Sequence, residues 1–213
     1  MAILKNGPNG GFSGKVGSIV GYQWRGKDVI RGLPRFSSKP RTPDQLANQL
    51  KMTLTQRFLQ RVIQFIRVGF RHEADRRVMS AFNVAMSYNK KQAIVGEYPD
   101  LAFDYRKALV SMGSVPPVKD GTARWVDGGL ELQWTNDTGE GNAGGRDYLL
   151  AVLFFPDDEV CEFRFNGASR TEGRDVIAVR PMFVGKPVHV YASFTCYNGS
   201  DISPSSYVDV ITV

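Results

Sequence analysis

The stretch Tyr148-Leu-Leu-Ala-Val-Leu-Phe-Phe155 decides the fold of this chain. It is apolar at odd and at even positions alike, whereas a strand with one solvent-facing side alternates between apolar and polar residues. We therefore expect a strand that is covered on both faces. One cover is the core of a β-sandwich. The other is either the N-terminal half of the same chain or a second copy of the chain.

Period-two patterns around this stretch predict the sandwich. Leu130, Leu132 and Trp134 alternate with polar residues, and turn residues separate the later apolar segments at a spacing typical of sandwich strands. The further predicted strands are 160–165, 176–179, 188–196 and 208–213.

Residues 122–213 resemble a fibronectin type III domain. Leu130-Glu-Leu-Gln-Trp134 is similar to the early strand that buries a tryptophan in that family. The stretch 188–199, followed by 203–210, looks like the last two strands and their loop. The resemblance implies an all-β immunoglobulin-like or fibronectin III-like sandwich, and it implies no particular function, because such sandwiches have many unrelated roles.

Helices are predicted upstream of the sandwich. Thr42-Pro43-Asp44-Gln45 has the pattern of a capping box with proline at the first helical position. Apolar residues then recur at helical spacing and predict a helix to about Gly69, either continuous or broken near 60–64. A second helix is expected over about 74–91, followed by short strands at 101–106 and 107–112.

The N-terminal segment has a different composition. Glycine and proline dominate residues 1–14, which we interpret as a flexible arm. Residues 15–34 predict a β-hairpin with its turn at Arg25–Asp28. Gly17 and Gly21 leave one face of the hairpin nearly bare, so we expect close backbone packing at both.

These elements together predict an α+β fold in four parts. They are a flexible arm at 1–14, a basic hairpin-and-helix domain at 15–113, a linker at 114–121 and the sandwich at 122–213. The linker is predicted from Pro116 and Pro117, since adjacent prolines exclude a helix and stiffen the chain.

Charge is distributed unevenly along the chain. Residues 1–110 hold 19 Lys and Arg against 7 Asp and Glu, whereas residues 111–213 hold 8 against 14. The basic half is suited to a polyanion. Alternatively, the basic half of one copy faces the acidic half of the next, which gives head-to-tail assembly.

One basic cluster is interleaved with aromatic residues and is the main candidate for a contact site. An aromatic and arginine-rich strand pair can stack bases and neutralise phosphates, or it can pair with the carboxylates of a neighbouring subunit. The candidate residues for assembly or polyanion contact are Trp24, Arg25, Lys27, Arg31, Arg35, Lys39 and Arg41.

No catalytic, cofactor-binding or metal-binding residues are predicted. The two histidines, His72 and His189, lack a second ligand at metal spacing, and no Gly-x-Ser-x-Gly motif occurs. Cys161 and Cys196 fall on predicted strands, where small buried side chains are expected, and the sequence leaves their pairing open. The glycine-rich stretch 139–145 lacks the lysine of a phosphate-binding loop and predicts a mobile sandwich loop.

The whole chain is similar to a family of bacterial proteins of unknown function. Three stretches carry the resemblance, namely Gly10–Arg31, Lys39-Pro-Arg-Thr-Pro-Asp-Gln45 and Met79–Asn89. In their order of hairpin, Pro-Arg-Thr-Pro-x-Gln motif and helix, these proteins also look like small structural proteins of phages and prophages.

The sequence thus predicts a non-enzymatic, self-assembling structural subunit of a virion, prophage particle or filament. We expect a homo-oligomer that assembles through the N-terminal segment and the opposite charges, with no membrane span and no evident small-molecule substrate. The N-terminus lacks the apolar region of a secretory signal, which predicts a cytoplasmic protein at synthesis, or one found in a released particle. The alternative is a nucleic-acid-associated protein that binds through the basic half.

Overall fold

The computed structural model describes residues 3–4, 10–34, 39–127 and 129–212. It is a mixture of helices and antiparallel sheets. The chain divides into two compact units, residues 1–41 and residues 42–213. This division differs from the predicted one, because the boundary lies in front of the first helix and not at 114–121.

The N-terminal unit contains a four-stranded antiparallel sheet. Its strands are β1 (Ile3–Leu4), β2 (Phe12–Val16), β3 (Ile19–Trp24) and β4 (Lys27–Gly32), which lie side by side in that order. The predicted hairpin corresponds to β3 and β4. Its turn is shorter than predicted, because Arg25 and Gly26 both have positive φ and close the hairpin with two residues.

Part of the predicted flexible arm belongs to this sheet. Residues 12–14 lie in β2, where Gly14 pairs with Gly21 of β3. A glycine-rich segment has little intrinsic preference for a strand, but the hydrogen bonds of a neighbouring strand supply one. Residues 1–2 and 5–9 of the predicted arm lie outside the described residues.

The capping box starts the first helix as predicted. α1 (Pro43–Arg61) follows Thr42, whose hydroxyl accepts a hydrogen bond from the Gln45 amide at 3.3 Å, while the Gln45 side chain accepts one from the Thr42 amide at 3.2 Å. The helix ends before Val62, and α2 (Ile63–Gly69) follows. The helical region is therefore broken within the range that the sequence left open.

The second predicted helix is divided in two. α3 (Arg71–Arg76) and α4 (Ala81–Gln92) are separated by a turn in which Val78 has a φ of +53°. Ser80 then caps α4 by accepting a hydrogen bond from the Asn83 amide at 3.2 Å. A serine cap after a left-handed residue starts a new helix, which explains why the periodic pattern alone predicted one element.

Only a short part of 101–112 forms a strand. β5 (Ile94–Val95) pairs with β6 (Ala102–Phe103), and a 3₁₀ turn follows at Tyr105–Lys107. The predicted strand at 107–112 is absent from this described region because side chains take its backbone hydrogen bonds. The Leu109 amide donates to Asn89 Oδ1 at 2.8 Å, and the Val110 amide donates to Ser205 Oγ at 2.9 Å.

The predicted linker at 114–121 is part of the second unit. Val115 and Val118 are buried in the same core as the sandwich strands, and the Val115 amide donates to the Ile202 carbonyl at 3.2 Å. The apolar residues on either side of the two prolines fill the core, so the segment does not separate two domains.

Seven strands form two antiparallel sheets in the second unit. The first contains β7 (Thr122–Val126), β8 (Gly129–Gln133) and β11 (Arg174–Ile177), in the order β11-β8-β7. The second contains β9 (Tyr148–Phe155), β10 (Val160–Arg164), β12 (Pro187–Thr195) and β13 (Ser206–Thr212), in the order β10-β9-β12-β13. The predicted strand positions are confirmed, with small shifts at their ends.

Strand β9 is buried on both faces. Leu149, Leu153 and Phe155 belong to the core between the two sheets. The alternate residues Leu150 and Val152 belong to a second core, shared with α1, α2 and α4. The second cover of β9 is therefore the helical segment of the same chain. Of the two covers that the sequence left open, it is the N-terminal half of the chain and not a second copy. In the second unit, the helices, the β10-β9-β12-β13 sheet and the β11-β8-β7 sheet form three successive layers.

The glycine-rich stretch 139–145 is anchored at its flanks. Arg170 is fully buried, donates to Asp137 Oδ1 at 2.6 Å and lies 3.6 Å from Asp147 Oδ2. Asp147 Oδ2 also accepts a hydrogen bond from the Gly144 amide at 2.8 Å. A buried arginine thus ties together both ends of a loop that the sequence predicted only as mobile.

Truncation on either face of β9 should destabilise the protein. We expect Leu149→Ala and Leu150→Ala each to lower the free energy of unfolding by about 2–5 kcal/mol, because each leaves a cavity in a closed core. Val176→Ala on β11 is the control, since Val176 is 45% exposed. Urea denaturation measures all three. A Leu150→Ala loss as small as that of the control would contradict a helical cover.

Removing the buried arginine should also be costly. Arg170→Met leaves Asp137 and Asp147 buried without a counter-charge, so we expect a loss of about 3–5 kcal/mol. The exposed Arg174, changed to Met, is the matched control. Adding Asp137→Asn and Asp147→Asn to Arg170→Met should recover part of the loss in thermal denaturation. No recovery would show that the arginine acts by packing and not by charge.

Candidate functional site

The N-terminal sheet has two chemically different faces. Residues that pair directly across an antiparallel ladder point to the same side. Trp24 pairs with Lys27, and Val20 pairs with both Lys15 and Arg31. One side, named here the cationic face, therefore consists of Lys15, Val20, Tyr22, Trp24, Lys27, Val29 and Arg31.

Arginines lie close to the aromatic rings of the cationic face. The Arg31 guanidinium carbon is 5.6 Å from the centre of the Tyr22 ring, and that of Arg25 is 5.8 Å from the centre of the Trp24 ring. Both distances allow cation–π attraction. Trp24 is 51% exposed, and the described strands place no carboxylate on this face. The arrangement can stack against flat groups and can attract anions.

The structure brings together four of the seven predicted contact residues. Trp24, Lys27 and Arg31 share the cationic face, and Arg25 reaches it from the turn. Lys39 and Arg41 are exposed residues of the segment before α1. Arg35 lies outside the described residues.

The opposite side is named here the apolar face. Val16 pairs with Ile19, and Gly21 pairs with both Gly14 and Ile30. Its members are Phe12, Gly14, Val16, Ile19, Gly21, Ile30 and Gly32, with Gln23 and Asp28 at one end. Val16 is 51% exposed and Ile30 is 62% exposed. Among residues 10–34, Gly21 alone is buried.

The apolar face cannot be found by counting alternate residues along the sequence, because a turn interrupts the alternation. Parity alone would put Val16 on the side of Trp24, but the Gly17–Ser18 turn between β2 and β3 places Val16 on the opposite side. Only the pairing of Val16 with Ile19 reveals this, and pairing depends on where the turn lies.

The two glycines expected to pack closely differ in their surroundings. Gly17 has a φ of +55°, and a Cβ placed there would meet no atom within 4 Å. The turn conformation explains this glycine, and close packing does not. At Gly21, a Cβ would lie 2.4 Å from the Phe12 carbonyl oxygen and 2.6 Å from its ring. The close approach of strands is therefore at Gly21.

A serine–carboxylate pair in the second unit has a structural explanation. The Ser114 hydroxyl donates to Asp201 Oδ2, and His72 lines the same hollow of about 160 Å³. Burial alone would raise the pKa of Asp201, but hydrogen bonds from Ser114 and from the Ile202 amide bring it below its usual value. The serine proton is directed at a carboxylate and not at an imidazole, so the pair ties the 113–114 segment to the loop after β12.

The surroundings of the cysteines and of His189 are set by the packing of the second unit. Cys161 and Cys196 are unpaired, and burial raises the pKa of the Cys161 thiol to about 12. Burial, together with Arg106, lowers the pKa of His189, whose Nδ1 lies 2.9 Å from the Tyr207 hydroxyl. Within the described ranges, no three His, Cys, Asp or Glu side chains form a group that could hold a metal ion.

The length and composition of the helices decide whether any of them can cross a membrane. Across the described parts of the chain, none of them combines the length and the apolar character that crossing a bilayer requires.

Comparison with known proteins gives a single result. No curated protein matches the chain, and no solved structure matches it. One family model matches residues 11–209, which include β2 to β4, all four helices and most of β13. The predicted membership in a family of unknown function is therefore confirmed: the chain belongs to the Family of unknown function (DUF6266).

Proposed function

We propose that this protein is a non-enzymatic, self-assembling structural subunit that associates with a second copy through the apolar face of its N-terminal sheet. The observation that carries the proposal is the exposure of Val16, Ile19 and Ile30 on one face of the N-terminal sheet. Such a cluster on an exposed surface is typical of a protein–protein contact.

A sheet of this kind needs a second layer. Small sheets are stable in water only when a hydrophobic face packs against another element. The strands β2 to β4 contain no buried hydrophobic side chain among the described residues. Packing the apolar face against another surface removes Ile30 and Val16 from water, at about 25 cal/mol per Å² of apolar surface buried.

Charge favours a second copy as the occupant and the apolar face as the contact. The cationic face carries Lys15, Lys27 and Arg31 and would repel the same face of another copy. The apolar face carries no cation in the described strands and a single acidic residue, Asp28. Two copies can therefore bring their apolar faces together in a two-fold contact without like-charge repulsion between cations.

Attraction between opposite halves has a smaller role in this proposal. Many carboxylates of the acidic half are already paired with arginines of the same chain. The pairs are Arg124–Glu131, Arg57 and Arg61–Glu159, Arg164–Asp175, Arg170–Asp137 and Arg180–Glu162. Charges that are neutralised internally contribute little to a contact with another molecule.

The proposal also includes a fibronectin III-like sandwich and a place in a particle or filament, both of which the sequence predicts. A three-stranded sheet that faces a four-stranded sheet, with Trp134 buried between them, supports a fibronectin III-like character for residues 122–213. A three-layer core in one unit and an exposed apolar sheet face in the other suit a repeated component of a virion, prophage particle or filament.

Opposite faces of the sheet should respond differently to an added lysine. We expect Ile30→Lys to weaken self-association at least about tenfold, because it places a cation in the centre of the apolar contact. Trp24→Lys is the matched control, since Trp24 is also about half exposed but lies on the cationic face. Sedimentation velocity of the full chain over a wide concentration range measures both. A wild-type protein that stays monomeric throughout would refute the proposal.

A second candidate function rests on the cationic face. Exposed Tyr22 and Trp24 with neighbouring arginines form the aromatic and cationic surface that single-stranded nucleic acids bind by stacking and phosphate neutralisation. Joining two apolar faces would leave both cationic faces on the outside, so the two proposals are compatible.

Nucleic-acid binding is tested by fluorescence anisotropy with labelled oligothymidylate. We expect Trp24→Ala to cost about 1–3 kcal/mol of binding free energy, because a stacking platform is lost. Arg31→Gln should reduce the slope of log K against log salt by about 0.7, and the control Arg174→Gln on β11 should leave it unchanged. No binding by the wild-type protein at about 50 mM salt would exclude this function.

A further inference from the structure

A groove in the second unit has an aromatic floor and a charged rim. It lies between α1, β6 and the turn that joins β9 to β10, and its volume is about 380 Å³. Phe58, Phe103, Tyr105 and Phe154 line its floor. Its lining residues belong to the second unit, and the serine–carboxylate pair is not among them.

The floor is a preformed apolar surface. The Phe58 and Phe103 ring centres are 4.8 Å apart, and those of Tyr105 and Phe154 are 5.1 Å apart. Phe58 and Phe154 are buried in the core shared by the helices and the sheet that contains β9, so the groove is built on packed residues. A ligand would not need to order this surface before binding, which lowers the cost of association.

The rim carries two cations and one anion. Arg57 and Arg61 both bind the carboxylate of Glu159, with 2.6 Å between Arg61 Nη2 and Glu159 Oε2. These two arginines lie one helical turn apart on α1 and reach the same carboxylate from one side. One carboxylate cannot neutralise two guanidinium groups, so the rim keeps a net positive charge.

Glu159 holds its position at a local conformational cost. Its φ is +52°, in the left-handed region that glycine favours, and its amide donates to the Pro156 carbonyl at 3.3 Å. The left-handed conformation closes the hairpin loop between Phe155 and Val160, and Arg57 and Arg61 bind the side chain that this loop presents. The turn therefore presents a carboxylate to a site that can accept another anion.

We propose that this groove binds a small amphipathic anion, whose apolar body lies on the aromatic floor while its carboxylate replaces Glu159 on Arg57 and Arg61. The volume is near the lower end for ligand sites and suits a body of one ring or a short chain. A neutral apolar molecule leaves the arginines unused, and a highly charged one cannot enter the aromatic floor without losing hydration.

The proposal predicts that removing the rim arginines and removing Glu159 have opposite effects on ligand affinity. The double variant Arg57→Gln/Arg61→Gln should bind about tenfold more weakly, because the charge-assisted hydrogen bonds to the ligand are lost. Glu159→Gln should bind more tightly, because the internal competitor for the arginines is removed. A purely structural role of the ion pairs would instead make both variants bind more weakly.

The experiment uses the full chain with 4-phenylbutyrate as the probe and 4-phenylbutan-1-ol as its neutral analogue. Isothermal titration calorimetry gives both dissociation constants, and the acid should bind at least about tenfold more tightly. Arg67→Gln is the control, since Arg67 is an exposed arginine on α2 that does not line the groove.

Three results would overturn the proposal. They are equal binding of the acid and the alcohol, no binding of the acid at millimolar concentration, and weaker binding by Glu159→Gln. The first two need only the wild-type protein, so the test holds even if a variant fails to fold. Self-association is measured separately, and its absence would leave the groove proposal intact.

Discussion

The second unit depends on the burial of β9 on both faces. A strand without a polar side must be enclosed, because exposing either set of alternate residues leaves large apolar side chains in water. Leu149 and Phe155 meet the strands of the other sheet, and Leu150 and Val152 meet the helices. This one constraint places the helical segment and the sandwich in a single unit.

The same constraint explains the features that surround β9. Helices α1, α2 and α4 pack on one side because they present the apolar residues that the strand requires. The segment at 114–121 closes the opposite core with Val115 and Val118. The groove arises where this packing ends, since Phe58 and Phe154 are core residues at the edge of the helical layer. The candidate ligand site is thus a consequence of how the two layers meet.

Local signals in the sequence were reliable, and signals that depend on distant residues were not. The start of α1 is set by Thr42 and Gln45, three residues apart, and was predicted correctly. The core strands were found because their own alternation defines them. The prediction of a linker at 114–121 differs from the structure, because composition does not reveal whether Val115 is buried against residues far along the chain. The sequence could not assign residues to the two faces of the N-terminal sheet for a related reason, since a two-residue turn changes which side Val16 occupies. The groove joins Arg57 to Glu159, about a hundred positions apart, and no spacing rule connects them.

The position of β4 at the edge of the N-terminal sheet has a consequence for growth. In the described sheet β4 pairs only with β3, so its outer row of amides and carbonyls is a template for another strand. The proposed contact between apolar faces closes after two copies, but an additional contact through this edge would link one pair to the next. Lys27 and Arg31 stand on this edge strand and would repel the same residues of an incoming strand. In the proposed assembly, counter-ions would therefore decide whether two copies remain a pair or extend into a ribbon.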